Sequence, residues 1–126
     1  PKCAKILLKN GKLCDSLVEA FFYLKYKKEK LTFKYHGLYP NFGRRKYDFY
    51  FPKTNTYTEI TGYNPQCKLY KKYIQKINIK RRHVNKVLKA NFKFIRYYLT
   101  PTDYDYVRKN IKREPIRNKK NEPIYS

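Results

Sequence analysis

Two carboxylates, Asp48 and Glu59, have the type and spacing to do chemistry. They sit within residues 47–62 (YDFYFPKTNTYTEITG), which read as two short strands around a turn. Residues 47–51 and 56–61 are aromatic, β-branched or alternating, and Pro52 to Asn55 carry turn chemistry. Pairing Phe51 with Thr56 sets an antiparallel register that puts Asp48 opposite Glu59. Directly opposed residues lie about 4.5–5.5 Å apart at Cβ. Two carboxylates that close repel unless a cation lies between them, and a divalent metal is the usual solution. The chain has nine acidic residues against thirty-one Lys and Arg. An acid pair inside so basic a chain points to a metal site that works on a polyanion.

The bulk composition agrees with that target. A formal charge of +22 and a pI near 10.0 exceed what solubility requires and favour nucleic acid as partner, with an anionic membrane surface second. Part of the basicity reflects a bias toward residues with AT-rich codons. At 126 residues the chain is one domain with a real core. There is no apolar run of transmembrane length and no signal-peptide pattern. Cys3, Cys14 and Cys67 are odd in number and lack C-x-x-C spacing. They fit a reducing, intracellular compartment better than a disulfide framework. Cys3 and Cys14 are either free thiols or the last ligands of a zinc knuckle.

The elements that must position the acids follow from periodicity. The chain opens at Pro1, and residues 1–14 read as the remnant of an upstream segment, with a turn at Asn10-Gly11. Asp15 or Ser16 caps a helix running to about Glu29, with Leu17, Phe21 and Leu24 on one stripe and aromatic residues on the other. A helix apolar nearly all round is packed on two sides. Residues 31–35 alternate as a strand, and 36–45 form a loop before the hairpin. Pro65 suits the first turn of a long helix over about 66–90, striped by Tyr70, Ile74, Ile77, Val84 and Leu88, with Tyr73 and Val87 at its edge. Residues 92–99 are a further strand. A last helix starts at Pro101 and turns Tyr106, Val107 and Ile111 inward. The order α-β-β-β-α-β-α predicts an α/β fold with a mixed sheet of about four strands flanked by helices. The domain spans 15–114, and 115–126 reads as a basic mobile tail.

The run Asp48-Phe-Tyr-Phe-Pro, a short turn, and Tyr57-Thr-Glu59-Ile-Thr61-Gly62 resembles the PD-(D/E)XK nucleases, which have a restriction-endonuclease-like core. Within them it is similar to the small phage and homing endonucleases related to very-short-patch repair enzymes. The resemblance covers roughly residues 16–102. It implies a metal-dependent DNA endonuclease using Mg²⁺, with Mn²⁺ as a substitute. It implies Asp48, Glu59 and the carbonyl of Ile60 as ligands, and Glu19 on the first helix completing the acidic cluster. Two positions depart from the pattern: Tyr47 stands for the motif Pro, and Thr61 for the motif Lys that orients the attacking water.

That Lys is known in the family to migrate to the following helix. With Ile77 at the centre of the long helix's stripe, Lys80 falls about 60° to one side and Arg81 about 40° to the other. Two cations flanking a buried stripe need anionic partners, and Asp48 and Glu59 would supply them. Lys80, with Arg81 second, is therefore expected to replace the missing Lys. The catalytic set is then Glu19, Asp48, Glu59 and Lys80. Arg44, Arg45 and Lys46 precede Asp48 directly and, with Arg81 and Arg82, suit contacts to backbone phosphates. His83 lies off the apolar stripe and reads as solvated or phosphate-facing. His36 lies in the loop, where a DNA contact is open. Besides DNA, no membrane and no small-molecule substrate is expected as a partner. Two alternatives stand beside the endonuclease: a catalytically inactive nucleic-acid-binding module of the same fold, or a Holliday-junction resolvase, which requires a homodimer.

Overall fold

A computed structural model describes residues 5–112, together with the backbone of 116–117 and 123–124. Helix α1 (Leu17–Lys28) starts where the Ser16 hydroxyl accepts the Glu19 N–H, and its last turn carries Lys25, Lys27 and Lys28, which suit the negative end of its dipole. Strands β3 (Lys34–Tyr35), β4 (Phe49–Phe51), β5 (Thr56–Thr61) and β6 (Asn91–Arg96) follow, in the spatial order 3-4-5-6. β3, β4 and β5 are antiparallel neighbours, whereas β5 and β6 run parallel. Parallel neighbours need a long crossover, and helix α2 (Tyr70–Lys86) provides it. Helix α3 (Pro101–Lys109) is stopped at its start by a capping box between Thr100 and Asp103.

This is the mixed α/β arrangement with a four-stranded sheet and three main helices that the periodicity predicts. The elements are shorter than expected. The first sheet strand keeps only two of its five residues, and α2 starts at Tyr70 because residues 62–69 form an exposed connection. A short hairpin of β1 (Ile6–Leu7) and β2 (Leu13–Cys14) precedes α1. It is part of the domain. Leu8 is fully buried and bridges to Ile111, and Lys9 N–H and Lys112 N–H bond across to Asn110 and Leu7. Cys14 is buried and Cys3 lies outside the described residues. The tail expected over 115–126 lies largely outside them too. Within it, β7 (Ile116–Arg117) pairs antiparallel with β8 (Pro123–Ile124).

Two separate cores cover the two faces of the sheet. On one, Phe22, Tyr23 and Tyr26 of α1 pack against Phe49 and Ile60, while Phe21 meets Tyr106 of α3. α1 is thus buried on two sides, as its nearly all-round apolar character demands. On the other face, Val84 of α2 joins Tyr39, Tyr47 and Tyr57. Residue alternation along β5 divides its side chains between the two cores: Ile60 joins the first and Tyr57 the second.

Candidate active site

The hairpin register is the expected one. Phe51 pairs with Thr56, Tyr50 with Tyr57 and Phe49 with Thr58, so the next rung sets Asp48 against Glu59. At that rung the regular ladder ends, and the Ile60 N–H donates to Asp48 Oδ2 at 2.7 Å. Within a strand a residue's N–H and C=O face the same edge, so the Ile60 carbonyl faces the Asp48 side. On the opposite edge of β4 the pairing continues past β3. His36 N–H donates to the Asp48 carbonyl, Tyr47 N–H to Gly37 and Tyr39 N–H to Arg45. His36, Asp48 and Glu59 therefore form one row across three strands.

Glu59 is buried and satisfied from two sides. The hydroxyl of the fully buried Tyr39 donates to Oε2 at 2.6 Å, and Lys80 Nζ lies 3.2 Å from both carboxylate oxygens. Lys80 also donates to the Lys46 carbonyl at 2.9 Å, which ties α2 to the loop preceding Asp48. Its Nζ also lies over the Tyr39 ring, 5.7 Å from the centroid. The helical cation expected near the acids thus meets Glu59. Arg81, expected second, does not: it bonds Asn78 and lies over Phe92 on an exposed face. The 40° offset placed it beside the stripe, but its planar guanidinium finds an aromatic face there. Thr61 is buried and accepts the Tyr63 N–H, so it holds the chain after β5.

Glu19 completes the cluster from α1. It sits one turn before Phe22 and Tyr23 on the buried face of the helix, and only 8 % of it is exposed. Its Oε1 accepts from the Tyr35 hydroxyl at 3.1 Å and from His36 Nε2 at 2.6 Å. Consecutive strand residues normally point to opposite faces. Tyr35 and His36 reach the same oxygen because His36 adopts a left-handed conformation, φ 56°, which breaks the alternation. Their rings stack at 3.9 Å. His36 Nε2 is also 3.5 Å from Asp15 Oδ2 and 3.9 Å from Asp48 Oδ1. Four of the chain's nine acids, Asp15, Glu19, Asp48 and Glu59, therefore gather at this end of the sheet.

The concentration of negative charge shows in the acids themselves. The Asp48 carboxyl is held well above the usual carboxylate range, first by burial, then by the charges of Glu59 and Glu19, against the opposing pull of the Ile60 N–H and Lys80. Glu59 is raised too, by burial, with Lys80 and Tyr39 acting against it. Burial and the negative charge of Glu59 drive the Tyr39 hydroxyl far upward, so it stays a donor. The donor set of carboxylates and a backbone carbonyl suits a hard divalent cation, and the raised acids mark a site short of positive charge. Among the described residues, the ligand-type side chains within 4.8 Å of one another are Asp15, Glu19 and His36. The set expected from the sequence, Glu19, Asp48 and Glu59, is not drawn that tightly together, because Lys80 and Tyr39 hold Glu59 on the α2 side.

His36, Asp15, Tyr35 and Tyr39 were not legible as site residues. Asp15 reads as a helix cap and His36 as a loop residue. The one signal was the continuation of the β3–β4 register, which puts His36 beside Asp48. His83 is not solvated as expected. It is buried, stacked on Phe42 at 3.9 Å, with Nε2 2.7 Å from the Pro40 carbonyl. Arg44, Arg45, Lys46 and Arg82 are exposed, and Arg45 lies over Phe42. No described helix is long and apolar enough to cross a membrane. Comparison with protein-family models, curated proteins and solved structures finds no match.

Proposed function

We propose that this chain is a metal-dependent DNA endonuclease with a restriction-endonuclease-like core, of the phage or mobile-element homing or repair type. The observation that carries this reading is the contact of Lys80 with Glu59. A helix residue twenty-one positions downstream brings its ammonium 3.2 Å from the hairpin acid, while the position two residues after that acid is a buried Thr. The row of Asp48 and Glu59, with the Ile60 carbonyl on the same edge, supports these groups as the holders of Mg²⁺, with Glu19 behind them. When bound, the cation supplies Lewis-acid polarisation of a phosphoryl oxygen and a lowered pKa for its water.

The remaining work falls to the chain's own side chains. Lys80 is the fixed positive group beside the phosphodiester, placed to orient the attacking water and to meet the negative charge that builds on the phosphoryl oxygens as the P–O bond breaks. Tyr39 fixes Glu59 from the protein side, and the Ile60 N–H fixes Asp48. Each support is a hydrogen bond to one carboxylate oxygen, the arrangement that keeps a ligand carboxylate in one rotamer.

A second reading, a nucleic-acid-binding module without hydrolysis, draws on one observation: Lys80 and Tyr39 already occupy both oxygens of Glu59. Supercoiled plasmid incubated with Mg²⁺, Mn²⁺ or EDTA separates the two. Metal-dependent cutting that disappears in Glu59→Gln and Lys80→Met supports the endonuclease. Tight binding with no cutting under any metal supports the module.

A further inference from the structure

The solvent side of α2 carries a feature that adjoins the acid cluster. Two adjoining depressions share Ile79 as their common wall. One is lined by Arg45, Lys46, Lys76 and Lys80. The other continues along the helix past Arg82 and Lys86 over an apolar floor that includes Phe42 and Val87. Among the described residues, no acidic side chain lines either one. Ile79 is 41 % exposed and Val87 56 %, so the apolar strip lies open between two rows of cations.

We propose that this groove, between α2 and the loop at residues 40–46, is the track along which one strand of the nucleic acid enters the site, its phosphates on the cations and its sugar edges on the Ile79 strip. The inference rests on the nucleic-acid reading above. Lys80 belongs to both structures: it lines the groove, and its Nζ contacts Glu59. A phosphate bound at the Lys80 end is thereby adjacent to the acids. Charge complementarity selects a polyanion, and cations beside exposed aliphatic groups suit the phosphates and deoxyribose edges of a strand. A diffuse positive surface explains neither the apolar strip nor its connection to the acids. Arg45, Phe42 and His83 stack along one side, with Arg45 4.4 Å from the Phe42 ring centre.

The test measures binding alone. Fluorescence anisotropy with a labelled duplex and a labelled single strand, in EDTA over a range of salt, gives the slope of log K against log salt. Each lost phosphate contact lowers that slope by about 0.9 on duplex and about 0.7 on a single strand. The double variant Arg45→Ala/Lys76→Ala is compared with Lys9→Ala/Lys53→Ala, an equal charge loss away from the groove. Ile79→Glu is compared with Leu31→Glu, since Leu31 is equally open at 44 % exposure. The groove predicts a slope reduced by about two contacts in Arg45→Ala/Lys76→Ala and not in Lys9→Ala/Lys53→Ala, and at least tenfold weaker binding for Ile79→Glu than for Leu31→Glu. Equal effects within each pair, or none, overturn it. If wild type binds along the groove but never cuts, the nuclease reading fails and the groove stands. If it cuts while ignoring these variants, the groove fails and the nuclease stands.

Discussion

Lys80 and Glu59 form an ion pair across the crossover between β5 and α2, with Nζ 3.2 Å from both oxygens and only 4 % of the Glu59 side chain exposed. Removing the ammonium leaves a buried carboxylate supported by Tyr39 alone. Lys80→Met is expected to lower cleavage by about 10²–10³-fold, the usual cost of one preorganised charge at a reacting group. It is also expected to cost about 1–3 kcal/mol of stability at pH 7. The sign with pH is fixed. Without Lys80 the Glu59 pKa rises further, so Glu59 protonates sooner on acidification and the stability loss shrinks. Urea unfolding at pH 7 and pH 5 checks both points, and a loss that grows toward pH 5 would contradict the pairing.

Asp48 is expected to behave in the opposite way. Its folded-state pKa is raised by burial and by Glu59 and Glu19, so its contribution to stability is present at low pH and lost as pH rises through the folded value. Asp48→Asn keeps an acceptor for the Ile60 N–H and removes the charge. In EDTA the variant should melt a few degrees higher than wild type at pH 8, with the gain fading toward pH 4, while its cleavage is lost. Thermal scans across pH provide the measurement.

Two candidate ligand sets share Glu19, and substitution tells them apart. If Asp48 and Glu59 hold Mg²⁺, a hard ion that prefers oxygen, then His36→Ala and Asp15→Asn should retain Mg²⁺-dependent cleavage within a few-fold. Asp48→Asn should abolish it. Loss of Mg²⁺-dependent cutting in both Asp15→Asn and His36→Ala would transfer the metal to the group around His36.

The N-terminal hairpin is expected to carry stability. Leu8 is fully buried against the α1 and α3 layer, so Leu8→Ala should cost about 2–5 kcal/mol. Equilibrium denaturation tests this, and a change below about 0.5 kcal/mol, the range of ordinary surface substitutions, would show the hairpin to be dispensable.

The hairpin, its register and the helical cation were legible because each rests on a short-range rule: a turn of known chemistry, alternation with period two, and 100° per residue around a helix. Lys80 was found by counting from Ile77, which is indeed almost fully buried. The same count placed Arg81 and Val87 too close to the core, because an angle around the axis does not say how far the neighbouring layer extends. Val87 is more than half exposed. His36 was missed because its contact with Glu19 depends on one left-handed backbone position, and sequence periodicity carries no signal for that. His83 was misread for a related reason. Its partners, Phe42 and the Pro40 carbonyl, come from a loop whose path is set by the rungs linking it to β4.

The two cores on opposite sides of the sheet have a consequence for how this protein tolerates change. Glu19 belongs to the layer built on α1, and Lys80 and Tyr39 to the layer built on α2, while Asp48 and Glu59 sit on the sheet between them. Each layer has its own aromatic packing. The acid cluster is where the two layers meet, so it reports the relative placement of both. A conservative repacking in either layer that moves α1 or α2 by a fraction of an ångström would leave a folded chain with a misaligned cluster. Mutational drift in this protein should therefore be limited by alignment before it is limited by folding.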